Sequence, residues 1–147
     1  MKYIRMHEVE AEPMTRGDYN KSRGWEIPDN ENPADEGYIV RYPDGYVSWC
    51  PKAQFEAAAR PCGGMPFGMA IEAMMRGKKV TRKGWNGEGQ FVDLRTVEVG
   101  YSEESTIRQS LAFVFHFKNR HTGETGIQVG WLASQGDMKA EDWEIVE

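Results

Sequence analysis

The run Pro66-Phe67-Gly68-Met69-Ala70-Ile71-Glu72-Ala73-Met74-Met75-Arg76-Gly77-Lys78-Lys79-Val80-Thr81-Arg82-Lys83 decides the fold. Phe67, Ala70, Ile71, Met74 and Met75 fall at i, i+3, i+4, i+7 and i+8, so a helix from Pro66 to about Arg76 would gather one apolar face. Gly77 suits the left-handed residue that ends a helix. Beyond it the period changes to two. On a strand over Lys79–Lys83, Lys79, Thr81 and Lys83 point one way and Arg82 the other. A helix with one apolar face, followed directly by a strand, calls for a sheet to cover that face.

The sheet is legible downstream. Gln90–Val99 and Leu111–Asn119 read as strands, the second because Phe113, Phe115 and Phe117 alternate with Val114 and His116. Thr122-Gly123-Glu124 reads as a hairpin turn, returning through Gly126–Trp131, and Asp142–Val146 reads as a last short strand. The expected fold class is α+β, one helix packed on a mostly antiparallel sheet.

Upstream, Arg60-Pro61-Cys62-Gly63-Gly64 interrupts helix and strand alike. It separates a small module at residues 1–60 from the domain at 65–147. Within the module, Lys2–Val9 suggests an edge strand and Arg16–Lys21 a helical turn inside the polar stretch Met14–Trp25. Gly37–Tyr42 and Tyr46–Cys50 flank Pro43-Asp44-Gly45, a hairpin signal, and Pro51 opens a helix running through Phe55 to Ala59. This is a ββα-like unit, too small to be stable without help.

Composition narrows the function. The 147 residues are 39% hydrophobic and 28% charged, as a globular chain is, and the net charge of −5 repels nucleic-acid polymers and anionic membranes. An anionic ligand therefore has to be met by a local basic cluster. Two cysteines, Cys50 and Cys62, are too few for a disulfide scaffold. The start of the chain lacks the apolar stretch of a signal peptide, no run is apolar enough to span a bilayer, and a cytosolic protein is expected.

Two tryptophan-bearing segments stand out: Lys83-Gly84-Trp85-Asn86-Gly87 and Trp131-Leu132-Ala133-Ser134-Gln135-Gly136-Asp137. Each sets a large π-face beside small residues and a carboxamide. A nucleotide pocket needs a ring to stack on the base, worth about 1–3 kcal/mol, and amide edges to read its polar atoms. Gly84 and Gly87 would let backbone amides approach a phosphate. Both indoles could equally be core, with both glycines as turns. Arg76–Lys83 places five basic residues in eight, either an anion site or a charged edge strand. His116, His121, Cys50 and Cys62 lack the spacing of a zinc site, so no metal and no cofactor are expected. His116 reads as a structural histidine. Asp137, Glu141 and Asp142 suggest acid–base chemistry or magnesium, but no nucleophile, P-loop or nucleophile elbow accompanies them. A turn cap and a solvated acidic loop explain them, so no residue is expected to be catalytic.

Taken in order, Met65–Ala73, Gly77-Lys78-Lys79-Val80 with Arg82–Gly87, and Trp131–Gln135 with Asp137 and Ala140-Glu141-Asp142-Trp143 resemble one phage family, the second type of Thoeris anti-defence protein. The resemblance covers Met65–Glu147. It implies a protein that binds the cyclic ADP-ribose isomer made by bacterial TIR immune enzymes and holds it without cleaving it, in the cytoplasm of the infected host. Some relatives also sequester cyclic dinucleotides. It further implies a homo-oligomer, dimers assembled into a tetramer, with the pocket between subunits. The family's binding motifs carry over onto Trp85, Asn86, Trp131, Ser134, Gln135 and Asp137. Arg82 and Lys83 would neutralise pyrophosphate, while Phe67 and Trp143 read first as packing residues. The chain departs from the family pattern at Gly130 and Gly136, where proline and threonine are expected, and in a longer insert, Gly100–Ser110. A phosphodiesterase using Asp137 and Asp142 with a metal, and a structural phage protein, are the competing classes. The first module, with Met14–Asn20, Asp35–Tyr38 and Pro43–Trp49, resembles a short module fused in other phage proteins.

Overall fold

A computed structural model describes residue 1, residues 6–100 and residues 108–147. The chain divides into two compact units, Met1–Arg60 and Pro61–Glu147.

In the first unit, three antiparallel strands run in the order β1 (Glu10–Pro13), β2 (Gly37–Arg41), β3 (Val47–Pro51). The β2–β3 hairpin closes where expected, with the Tyr42 N–H donating to Tyr46 O and Gly45 at φ +85°. Two helices accompany the strands, α1 (Arg16–Ser22) and α2 (Lys52–Ala58). Thr15 caps α1, its hydroxyl accepting from the Asp18 N–H. Pro51 sits one position earlier than expected, as the cap residue of α2. The edge strand is also misplaced in the sequence reading. Residues 2–5 lie outside the described residues, residues 6–9 form no strand, and the edge is β1, paired Glu10 to Arg41 through Pro13 to Tyr38.

The second unit is a five-stranded antiparallel sheet, β7-β6-β5-β4-β8, under a helix α3 (Phe67–Met75). Strand β4 (Lys79–Arg82) leads to β5 (Phe91–Val99) and β6 (Arg108–Lys118), then β7 (Thr125–Val129) and β8 (Trp143–Val146). Gly77 takes φ +81° just past the helix, as the punctuation requires. The core lies between α3 and the sheet: Ala70, Met74, Val80, Val92 and Trp143 show no solvent exposure. Phe113 and Phe115 pack on this cluster. The intervening Val114 and His116 lie on the other sheet face, where His116 Nε2 is 3.0 Å from Asp93 Oδ1 and its ring stacks on Phe91 at 4.1 Å.

Three expectations change. β6 begins at Arg108, so the last residues of the Gly100–Ser110 insert are strand; residues 101–107 lie outside the described residues. Pro61–Gly64, read as part of the break, belongs to the second unit, with Cys62 O accepting the Ile145 N–H. A second short helix, α4 (Gln135–Lys139), joins α3. Its signal was present in Ser134-x-x-Asp137, a capping box in which Ser134 Oγ accepts the Asp137 N–H while the Asp137 carboxylate accepts the Ser134 N–H.

Candidate functional site

Strand β4 ends on Arg82, and the turn after it returns Trp85 over the sheet, the Trp85 N–H donating to Arg82 O at 3.2 Å. From the other side, the Gly130 and Trp131 N–H groups both donate to Phe113 O, lifting Trp131 onto the same cluster. Gly130 has φ +79° with open space where a Cβ would go, a conformation proline's fixed negative φ cannot adopt. The proline expected at position 130 would not fit this left-handed turn.

Three indoles meet edge to face. Trp85 and Trp131 have centroids 6.1 Å apart, Trp85 and Trp143 5.4 Å, and Trp131 and Trp143 6.1 Å. Phe115 stands perpendicular to Trp85 at 5.3 Å, and Phe67 lies 5.6 Å from Trp143. Trp143 is fully buried, so its reading as a packing residue is right, whereas Trp85 and Trp131 remain partly exposed. Each of these edge-to-face pairs contributes about 0.5–1.5 kcal/mol beyond area burial.

Asp137, 8% exposed, is the hub beneath them. Its Oδ1 accepts from Trp85 Nε1 and Arg82 Nη1, both at 2.9 Å. Its Oδ2 accepts from the Ser134 N–H at 2.9 Å and the Ser134 hydroxyl at 2.7 Å, and its backbone oxygen takes Trp143 Nε1–H at 3.1 Å. Burial alone would push this carboxyl up, but the bonds from Ser134, Trp85 and Arg82 outweigh it and hold the group down to about 2. Arg82 also donates from Nε to Asp142 Oδ1 at 2.8 Å, and its guanidinium lies 5.9 Å over the Trp143 ring. The Arg82 pair and the Gly84 N–H, which reaches Asp142 Oδ2 at 2.8 Å, hold the Asp142 carboxyl below the usual range.

Arg82, Trp85, Trp131, Ser134 and Asp137 therefore come together, but three of them are already occupied. The fork of Arg82 binds two carboxylates, Ser134 is a helix cap, and Asp137 accepts four hydrogen bonds. The Gly84 amide is turned to Asp142 instead of open solvent, and a Cβ there would stand 2.9 Å from the Asp142 carboxylate. Asp142 belongs to the hub, where the sequence suggested a solvated acidic loop.

The basic run is likewise spread over protein partners. Arg76 pairs with Glu72, Lys79 lies over Phe91, and Lys83 reaches Gly63 O at 3.0 Å and Glu144 at 3.7 Å. Lys83 keeps a 62% exposed side chain against 18% for Arg82. Asn86, in the Trp85 turn, and Gln135, the first residue of α4, are exposed. Two hollows among the described residues lie elsewhere. One of about 440 Å³ is lined by Glu36, Trp49 and Lys52, and one of about 480 Å³ by Phe91, His116 and Ile127.

Comparison with known proteins agrees with the motifs. The model of the Thoeris anti-defense 2-like domain matches residues 65–146, more than half of the chain and nearly the whole second unit. A relative from Bacillus phage SP01, named Thoeris anti-defense 2, is 32% identical over 91 residues, covering 56% of this chain and 94% of the relative. Both indole turns, the capping box and the Arg82–Asp137–Asp142 hub fall inside the matched region: the chain belongs to the Thoeris anti-defense 2-like family.

Proposed function

We propose that the chain is a phage immune-evasion sponge that binds the cyclic ADP-ribose isomer of the Thoeris system in the host cytoplasm and holds it without cleaving it. One observation carries this reading. Trp85 and Trp131 are locked at 6.1 Å over a charged hub yet stay partly exposed, and Asn86, next in sequence to Trp85, and Gln135, which opens α4 after Trp131, are exposed. Rigid π-faces with amide edges suit a purine and its ribose, and a point charge suits pyrophosphate. Pre-fixed rings also lower the ordering cost of binding. A stoichiometric sponge needs nanomolar affinity, about −12 kcal/mol.

The state of the carboxylates favours holding over cutting. Asp137 accepts from Arg82, Trp85 and Ser134, and Asp142 accepts from Arg82 and the Gly84 N–H, so the carboxylates that a metal or an acid–base step would use are already engaged by the chain itself. In this reading the two partly exposed indoles form one wall of a pocket that a second copy completes, in a homo-oligomer.

The test is uptake and release. The protein is incubated with the cyclic ADP-ribose isomer or a cyclic dinucleotide, repurified, heat-denatured, and the supernatant analysed. Intact released cyclic ADP-ribose isomer is the expected result. Uptake of the dinucleotide alone would keep the sponge and change its ligand. Degraded product would make the protein a phosphodiesterase, and no uptake would leave the structural class.

A further inference from the structure

The turn between β4 and β5 carries Trp85-Asn86-Gly87, and its last two residues hold groups that react with each other. An asparagine carboxamide is an electrophile within ring-closing reach of the next residue's backbone nitrogen, and asparagine is a thermolabile residue for that reason. Glycine offers the nitrogen with no Cβ to shield it. Folding stops the reaction where the nitrogen donates to an acceptor or the side chain is held by hydrogen bonds.

The five asparagines differ in that protection. Asn20 is 1% exposed within α1 and donates its amide to Glu31. The nitrogen after Asn30 belongs to Glu31 and donates to Pro28 O at 3.0 Å. Asn32 precedes a proline, which has no N–H. Asn119 Oδ1 accepts the N–H groups of His121 and Thr122. Only Asn86 combines exposure, a place outside helix and strand, and a following glycine. Among the described residues neither its carboxamide nor the Gly87 N–H makes a hydrogen bond. Asp44-Gly45, the other pair prone to the same ring closure, is locked: Asp44 Oδ1 accepts the Tyr46 N–H, and the Gly45 N–H donates to Tyr42 O, both at 2.9 Å. Nor can the turn easily shed its reactive glycine, because a Cβ at Gly87 would run into the Gln90 carboxamide.

We propose that Asn86-Gly87 is a self-modification site, at which the folded chain deamidates without an enzyme. The Gly87 nitrogen, giving up its proton to solvent base, attacks Asn86 Cγ. The Cγ–Nδ2 bond breaks, ammonia leaves, and a cyclic succinimide remains. Water then opens the ring, at Cγ to give aspartate or at the main-chain carbonyl to give isoaspartate. One water enters and one ammonia departs, with no oxidation or reduction. Either product sets a new carboxylate next in sequence to Trp85 and takes the net charge one step below −5. Isoaspartate also routes the backbone through Cβ and lengthens the turn. The modification stands on the geometry of the turn, whereas its consequence rests on the proposed sponge. There it acts as a clock, since an aged copy repels an anionic nucleotide that a fresh copy holds.

The experiment ages the full chain in mildly alkaline buffer, folded and in denaturant, and follows each dipeptide by mass spectrometry and isoaspartate detection. Folding is expected to leave the Asn86 rate close to its denatured value while sharply slowing Asp44-Gly45 and the other asparagines. Acidic buffer should slow Asn86, because the attacking nitrogen has to lose a proton. Asn86→Gln, which has to close a larger ring, should stay unmodified. An Asn86 that folding protects as strongly as Asp44, or that keeps its amide while other asparagines lose theirs, would overturn the site. Calorimetric titration with the cyclic ADP-ribose isomer reads the consequence. Conversion should weaken binding about tenfold or more at low salt, and less at high salt. Asn86→Gln should hold through the same ageing whatever affinity it starts with. A converted chain that binds as tightly as the fresh one overturns the clock. Conversion at Asn86 in a chain that takes up no nucleotide sinks the sponge alone, and a chain that binds but never converts sinks the modification alone.

Discussion

Each unit is built around an arginine that grips a carboxylate and lies near a tryptophan, and the two hubs differ in what they leave open. In the first unit Arg16 holds Glu31 through two bonds of 2.7 and 2.6 Å, Asn20 adds a third, and the guanidinium lies 5.2 Å over Trp49. That hub pins the loop after α1 back onto the helix, and the Trp49 Nε1–H is spent on Met14 O. In the second unit Arg82 spans two carboxylates at the meeting of β4, α4 and β8, beneath three indoles of which two reach the surface. The same ion-pair chemistry closes a loop in one place and aims ring faces outward in the other. An arginine at a site is thus not itself evidence of ligand contact; what matters is which groups its pairing leaves free.

The largest expected effect breaks the second hub at its floor. Trp143→Ala removes a fully buried indole and should cost about 3–5 kcal/mol, enough to abolish cooperative melting of the second unit. Next comes Arg82→Met, which strands Asp137 and Asp142 beside each other. Losing one partner of a buried pair costs about 3–5 kcal/mol, and the partial exposure of Asp142 puts this case at the low end. Arg82→Lys should rescue little, because one ammonium cannot span both carboxylates. Arg16→Met should cost less, since it strands a single carboxylate, Glu31, that is 26% exposed and rehydrates, whereas Asp137 beside Arg82 is 11% exposed. Equal losses at the two arginines, measured by chemical denaturation, would break the contrast between the hubs.

The contrast is sharpened by pH. Asp137 has an ordinary pKa of 3.8 and is held at about 2 in the folded chain. A depressed carboxyl contributes stability that is complete above pH 4 and is lost as pH falls from about 4 to 2. The shift corresponds to about 2 kcal/mol. Asp142 adds in the same direction. Denaturant midpoints of Asp137→Asn should be lower than the parent at pH 7, and the gap should narrow as pH falls through that window. A gap that widens on acidification would reverse the assigned sign.

The helix–sheet architecture was legible because it is written in period. Helix α3, Gly77 and the phenylalanine alternation survive with boundaries moved by a residue or a few, while the apolar stripe holds at Phe67, Ala70, Ile71 and Met74 but not at Met75, which is 59% exposed as Ala73 turns to the core. What was hidden depended on pairing across the chain. Arg82 reads as an anion binder when taken with the four other cations of its run, and only the return of Asp137 and Asp142, 55 and 60 residues later, consumes it. The Gly84 amide was lost to Asp142 in the same way. Helix α4 is different, since its capping box, Ser134 with Asp137, is local in sequence and the same two residues also suit ligand contacts.

The smallest effects on stability should be the most informative about the ligand. Asn86 follows Trp85 in its turn and Gln135 opens α4, and both are exposed with no side-chain bond to the hub. Replacing either with alanine should therefore move the melting free energy by no more than about 0.5 kcal/mol. If each amide reads a polar edge of the bound nucleotide, each loss should weaken binding by about 0.5–1.5 kcal/mol, roughly 2- to 13-fold. The double variant should be additive if the amides contact different parts of the ligand and less than additive if they share one group. Calorimetric titration with the cyclic ADP-ribose isomer beside a melting curve separates the two quantities, which Arg82 and Asp137 variants cannot do because they move both. Unchanged affinity in the double variant would remove the amide edges from the site and leave ring stacking and charge to carry recognition.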